Sequence, residues 1–339
     1  MPTLLDSFQL KDLQLKNRIV MSPMCQYSVK AKDGKPNDWH FSHYTSRAIG
    51  GAGLIIMEMT DVEPDGRITD YDLGIWSDEH IPAFARIIKA CQSYGAKVAI
   101  QIAHAGRKAE DADQPVSCSP IPFSEQFKTP RELTTQEVQD IVGKFEAAFK
   151  RAVEAGVNAI EIHAAHGYLI HQFQSPLTNR RKDIYGEEKS RFGAEVIQAA
   201  RRAMPESMPL IMRISAVEYN EGGYDLEYAL TLAKRYKEAG VDIFHVSSGG
   251  EGPIGPSHAG PGYQVHLAQA IKESLNIPVI AVGRLEDPHL ADQVVREGKA
   301  DLVAVGRGML RNPFWANDAS LALGGKPLTP EPLQAAYSI

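Results

Sequence analysis

The chain is poor in cysteine. Cys25, Cys91 and Cys118 are the three it has in 339 residues, which excludes a disulfide framework and fits a reducing, cytoplasmic setting. Blocks of basic residues are missing and the net charge is −6, so neither nucleic acid nor an anionic membrane is the expected partner. No apolar run reaches the length of a membrane span. The opening Met1-Pro-Thr-Leu-Leu-Asp6 is too acidic and too briefly apolar for a signal peptide. The Gly-x-Gly-x-x-Gly fingerprint is absent from the start of the chain, which argues against a Rossmann domain. No low-complexity stretch or domain linker is evident.

What the chain does have is a rhythm. A helix, an acidic residue, a glycine and a strand recur at Glu154-Ala-Gly156, Glu238-Ala-Gly240 and Glu297-Gly298, the glycines ending helices. Strands are expected at Arg18 running into a loop at Tyr27, Leu54–Met59, Lys97–Ile102, Ala159–His163, Leu210–Ser215, Ile243–Ser248, Pro278–Val282 and Asp301–Val305. Helices fit Trp39–Ile49, Asp78–Tyr94, Thr134 or Thr135 to Ala155, Ser190–Ala203, Asp225–Ala239, Tyr263–Ser274 and Pro288–Arg296. The count predicts an α/β fold: one (β/α)8 TIM barrel spanning residues 1–339 rather than an open doubly wound sheet. Leu4–Leu10 and Leu13–Ile19 suit a small hairpin capping one end. Residues 104–134, with Pro115, Pro120, Pro122 and Pro130, form a long irregular insertion after the third strand, a candidate lid. The tail after Gly325 is expected to be loosely attached.

Polar residues gather where the strands end, the face that carries chemistry in α/β folds. The focus is Glu161-Ile-His-Ala-Ala-His-Gly-Tyr168. Ile160 and Ile162 share one face, while Ala159, Glu161 and His163 share the other. His166 and Tyr168 fall just past the strand. The pair of histidines suits either hydrogen bonding or, by its HxxH spacing, a metal. Gln101 and Arg213 lie within strands expected to face inward, and a buried arginine needs an anionic partner: Glu161 or a ligand. Gly283-Arg284 and Gly306-Arg307-Gly308 follow the seventh and eighth strands, where such barrels bind phosphate, and Ser248-Gly249-Gly250 offers further donors. Cys25 after the first strand is either an ordinary buried thiol or part of the site.

These residues also carry a resemblance. Asn17-Arg-Ile-Val-Met-Ser-Pro-Met-Cys-Gln-Tyr27, Gln101-Ile-Ala-His-Ala-Gly-Arg107, His163-Ala-Ala-His-Gly-Tyr168, Arg213-Ile-Ser215 and Gly306-Arg307 together resemble the Old Yellow Enzymes, specifically the bacterial thermophilic-like branch of FMN-dependent ene-reductases and NADPH dehydrogenases. The resemblance implies noncovalent FMN. Pro23, Met24 and Cys25 would line the flavin, with Cys25 near its N5. Gln101 and Arg213 would meet its pyrimidine side, and Ser248, Gly249, Gly283, Arg284, Gly306 and Arg307 would surround its phosphate region. It implies NADPH as reductant, with NADH an alternative, and small electrophilic alkenes as substrates. His163 and His166 would hydrogen-bond the substrate oxygen, Tyr168 would deliver a proton, and Tyr27 and Met59 would touch the substrate. No metal is then expected. The tail lacks the terminal arginine of relatives, since no arginine follows Arg311; a homo-oligomer fits the resemblance, but a dimer built on an arginine finger does not. Two other readings compete: a flavin-free phosphate-binding isomerase or aldolase, and a nonenzymatic flavin-binding protein.

Overall fold

A computed structural model describes residues 1–337; Ser338 and Ile339, the end of the tail discussed above, lie outside the described residues. Eight parallel strands close into a barrel. In chain order they are Ile19–Met21, Leu54–Asp61, Lys97–Ala103, Ala159–Ala164, Leu210–Ser215, Ile243–Ser247, Val279–Val282 and Leu302–Val305. Each pairs with its neighbour in sequence, and the first pairs with both the second and the eighth. The short Leu73–Gly74 strand adds to the upper edge of the second.

The alternation of each strand sends its two faces to different cores. Ile160 and Ile162 point outward into the large layer between barrel and helices. Ala159, Ile56, Ile211, Ile243 and Ile280 point inward and fill the barrel floor, together with Phe8, Leu13 and Leu15 of the N-terminal hairpin. That hairpin pairs Phe8–Leu10 with Leu13–Leu15 and plugs the lower end; its second strand is shorter than the sequence pattern suggested because the chain turns at Asn17, whose side chain binds Gly51.

Local signals set the helix starts. Thr134 accepts from the Glu137 amide while Glu137 reaches back to Thr134, a capping box that begins Thr135–Glu154. Asp225 and Asp287 cap the helices that follow them, the latter with Pro288 in the first turn. Two expected starts move. The stretch from Asp78 opens as a 3-10 turn, Asp78–His80, capped by Ser77, before the helix Ile81–Ser93. The expected Tyr263 start falls in a turn, and the helix is Val265–Leu275. Short helices at Leu169–Gln174, Ile184–Glu187, Arg307–Arg311 and Trp315–Ala322 lay outside the sequence pattern, being too brief to show a period.

Within 104–134, Val116–Ser117 pairs with Arg131–Glu132, so the insertion is a loop pinned at its base. The tail is not loose. The Leu328 amide and the Tyr337 hydroxyl both meet Asn317, and Thr329 is buried. Among the described residues, no helix is long and apolar enough to cross a membrane.

Candidate active site

One feature of the second strand shapes the mouth of the barrel. Its pairing with the third strand slips between Met57 and Met59, a β-bulge with Glu58 as the extra residue. The bulge re-aims the residues above it. Met59 then joins Ala103, Ala105 and Ile68 in a small apolar cluster that packs against Cys25 and Tyr168. The expected substrate contact Met59 is therefore beside two other expected site residues.

The fourth strand delivers the histidines. His163 is buried, with its ring 4.8 Å from the Tyr168 ring and 5.2 Å from the His166 ring, both edge-on. Its Nδ1 accepts from the Ala165 amide at 3.3 Å, which leaves the ring proton on Nε2 as a donor. His166 adopts a left-handed backbone, φ 59°, which turns the chain sharply after the strand. Gly167 follows at φ 75°, and a side chain there would collide with the Gly250 carbonyl. His166 Nε2 meets the Ser247 hydroxyl at 2.7 Å, so this histidine, unlike His163, has a protein partner on that nitrogen. The turn is held from below: Lys108 Nζ donates to the carbonyls of His166 and Gly250, each at 2.8 Å, and the Gly167 amide donates to His171 Nδ1 at 2.9 Å.

Burial holds both His163 and His166 well below the usual histidine range, and the nearby Arg213 charge pushes the same way. Both are therefore neutral near pH 7. Burial likewise raises Tyr168 well above the ordinary phenol value, followed by the influence of Cys25, Tyr27, Asp72 and Asp61, so it keeps its proton. Lys108 is pushed down to about 8 by burial.

Of the two partners left open for Arg213, Glu161 or a ligand, Glu161 makes no ion pair with it. The Glu161 carboxylate is occupied by Gln101 Nε2 and His245 Nδ1, both at 2.7 Å. Register explains it: Gln101 stands opposite Glu161 on the third strand, and His245 opposite Arg213 on the sixth. Arg213, on the fifth strand, is left with its buried Nε unpartnered. An arginine kept out of the available ion pair favours an anionic or strongly polar ligand at the mouth.

A pocket opens beside it, lined by Pro23, Met24, Arg213, Gly283, Arg284, Gly306 and Arg307. Gly283 sits at φ 127°, and a Cβ there would press on Gln264 and Tyr263. Ser248 and Gly249 are not in this lining: the Gly249 amide is bound to the Val217 carbonyl at 2.7 Å, and the Ser248 hydroxyl to Gln264. Ser247, Tyr263, Gln264 and Glu286 line it instead. Sequence position alone missed them because Tyr263, Gln264 and Glu286 stand just before helices and Ser247 is the last residue of its strand. Tyr27 is half exposed at the rim, with φ 50°.

One buried group of possible metal ligands exists among the described residues, His171, Glu218 and Glu251, and it excludes the sequence-suggested pair His163 and His166. Its nitrogens are already engaged: Nδ1 by the Gly167 amide and Nε2 by Glu218 and Tyr224.

Comparison with known proteins adds three findings. A family model described as the NADH:flavin oxidoreductase / NADH oxidase family matches residues 3–323. The chain is 46% identical over 327 residues to an NADPH dehydrogenase of Listeria monocytogenes serotype 4a, covering 96% of each. It is 47% identical over 332 residues to that of Bacillus subtilis, again covering 96% of each. Among solved structures, morphinone reductase matches with a TM-score of 0.81 at 28% identity, over 98% of this chain and 92% of that one. A 2-naphthoyl-CoA reductase shares the fold with a TM-score of 0.87 at 24% identity; this chain spans about half of it, 53%.

Proposed function

Because the chain belongs to the NADH:flavin oxidoreductase / NADH oxidase family, among the Old Yellow Enzymes, we infer that its barrel mouth reduces electrophilic alkenes. The enzyme is an FMN- and NAD(P)H-dependent oxidoreductase acting on activated C=C bonds. The narrower reading concerns which residues act, which coenzyme is preferred and where the protein works: NADPH rather than NADH, noncovalent FMN, and the cytoplasm.

The mouth fits a flavin mononucleotide. Arg213 offers an unpaired, buried guanidinium edge for a carbonyl-bearing ring, and Gly283, Arg284, Gly306 and Arg307 line a pocket suited to a phosphate. When bound, FMN supplies the hydride taken from the nicotinamide coenzyme. The chain's own residues do the rest. His163 presents a neutral Nε2–H to the substrate oxygen and draws electron density from the alkene. His166 lies edge-on beside it and braces the pocket through Ser247. Tyr168 retains its proton at neutral pH and delivers it to the carbon next to the carbonyl. Cys25 and Met59, packed together beside Tyr168, would border the substrate, with Tyr27 at the rim.

The observation that carries this reading is the convergence of His163 and Tyr168, rings 4.8 Å apart, beside an arginine whose buried Nε has no hydrogen-bond partner. A spectral titration tests it. The purified protein should be yellow, bleach with NADPH and recolour with cyclohexenone. A protein that binds FMN but is not reoxidised by any enone would leave only a flavin carrier. His163→Ala should slow reoxidation by enones far more than reduction by NADPH; equal loss in both would remove its substrate-binding role.

A further inference from the structure

Glu58 has no part in the chemistry above, yet it is buried at the mouth. As the extra residue of the bulge, its backbone loses its place in the ladder. The Glu58 amide donates instead to the Tyr44 hydroxyl at 2.9 Å, and that hydroxyl donates back to Oε1 at 2.8 Å. Oε2 accepts from the Gln26 amide at 2.6 Å. This amide belongs to the peptide that joins Cys25 to Gln26. The bond ties the loop backbone directly to the Glu58 carboxyl. The tethered loop then turns through Tyr27 at positive φ.

A third group faces the carboxylate. His40 Nε2 lies 3.6 Å from Oε1 and has no hydrogen-bond partner. Its Nδ1 is held by Asn37, 3.1 Å from the amide and 3.0 Å from Oδ1. Burial pushes His40 down to about 4, so it brings no compensating charge near pH 7.

We propose that Glu58 is a positioning residue for Cys25: its carboxyl grips the Cys25–Gln26 peptide, fixes where the thiol stands at the mouth, and adds a negative charge behind it when ionised. The proposal rests on the reading above that Cys25, packed against the Met59 cluster together with Tyr168, borders the flavin. The groups that face Glu58 are Tyr44 and His40 on the helix Asp38–Ile49, the Cys25–Gln26 peptide, and, through space, Asp72. Burial raises the Glu58 carboxyl to about 8, against the bonds from Gln26 and Tyr44. Cys25 is itself held well above the ordinary thiol value by burial, then by Asp72, Glu58 and Asp61. Burial and Asp72 come first in keeping the thiol protonated, and Glu58 adds to them once its own charge develops.

The test reads the thiol directly. Iodoacetamide labelling of Cys25 is followed by peptide mapping from pH 6 to pH 10, in wild type, Glu58→Gln and Glu58→Asp, with FMN bound and with FMN removed. Loss of the neighbouring charge in Glu58→Gln should make Cys25 label about tenfold faster near pH 9, the equivalent of one pKa unit. The flavin midpoint potential of the same variant should become more positive. Glu58→Asp should restore part of the wild-type profile. Cys91 and Cys118 are fully buried and serve as the internal control: their labelling reports general loosening of the fold. Superimposable Cys25 profiles in wild type and Glu58→Gln, with Cys91 and Cys118 protected, would overturn the proposal. The FMN-free arm stands even if the flavin reading fails, because that failure shows as a protein that binds no FMN.

Discussion

The floor and the mouth of this barrel are made by the same strands, two residues apart. At the floor, Ala99, Ala159, Ile211 and Ile243 fill the interior with nothing but hydrocarbon. One inward step higher, the same four strands turn in Gln101, Glu161, Arg213 and His245. The floor is held by shape, each side chain replaceable by another of similar volume. The mouth is held by pairing, and each polar group depends on one particular partner. Arg213 is the member of the upper layer that the protein leaves unpaired, and a ligand-free polar group is tolerated where a ligand will complete it.

Four probes test that contrast. Glu161→Ala should have the largest effect, because it strands Gln101 and His245 together; breaking a buried charged network in this way costs about 3–5 kcal/mol, measurable by urea unfolding. A floor change of similar depth, Ile211→Val, should cost only about 0.5–1.5 kcal/mol. If the two losses were equal, the contrast would collapse. Arg213→Ala should leave stability nearly intact and weaken FMN binding by about 1.5–3 kcal/mol, the worth of a hydrogen bond to a charged group, seen by fluorescence titration of the apoprotein.

The third probe is pH. The folded-state value of His163 lies well below the ordinary histidine value. As pH falls through about 6.5, the unfolded chain takes up a proton there that the folded chain refuses. This contribution is therefore absent above that pH and becomes destabilising below it. The melting temperature of His163→Ala relative to wild type should rise on going from pH 8 to pH 5. A constant offset would mean that the histidine is not held neutral. The smallest effect is expected from Met59→Ala, whose cluster borders Cys25 and Tyr168: the rate ratio of bulky to small enones should increase severalfold, and an unchanged ratio would place Met59 outside the substrate's reach.

The barrel itself was the more legible part. Alternation in Ala159–His163 put Ala159, Glu161 and His163 on one face, and the glycine-ended helices gave the barrel, because both signals are local in sequence. The pairing in the mouth was not legible. Whether Glu161 meets Arg213, or Gln101 and His245, depends on register among four strands brought together only by closure. Ser248 and Gly249 looked like phosphate donors, yet their loop spends them on Gln264 and Val217. The bulge at Glu58 left no mark at all in the alternation pattern. A polar residue inside the apolar run Leu54–Met59 was the signal available, and it could have been read as a site residue.

The closure of the barrel has a consequence for the chain as it is made. Ile19–Met21 must pair with Leu302–Val305, and the Leu4 amide is bound to Asp292. At a ribosomal pace of about 5–20 residues per second, the first strand waits roughly 15–60 s for its second neighbour. For that interval the strand has an open edge, and the hairpin meant for the floor has no completed floor to plug. Slow synthesis across the last quarter of the gene would lengthen the exposure, and an early-closing partner such as a chaperone would have its work at the strand that is made first.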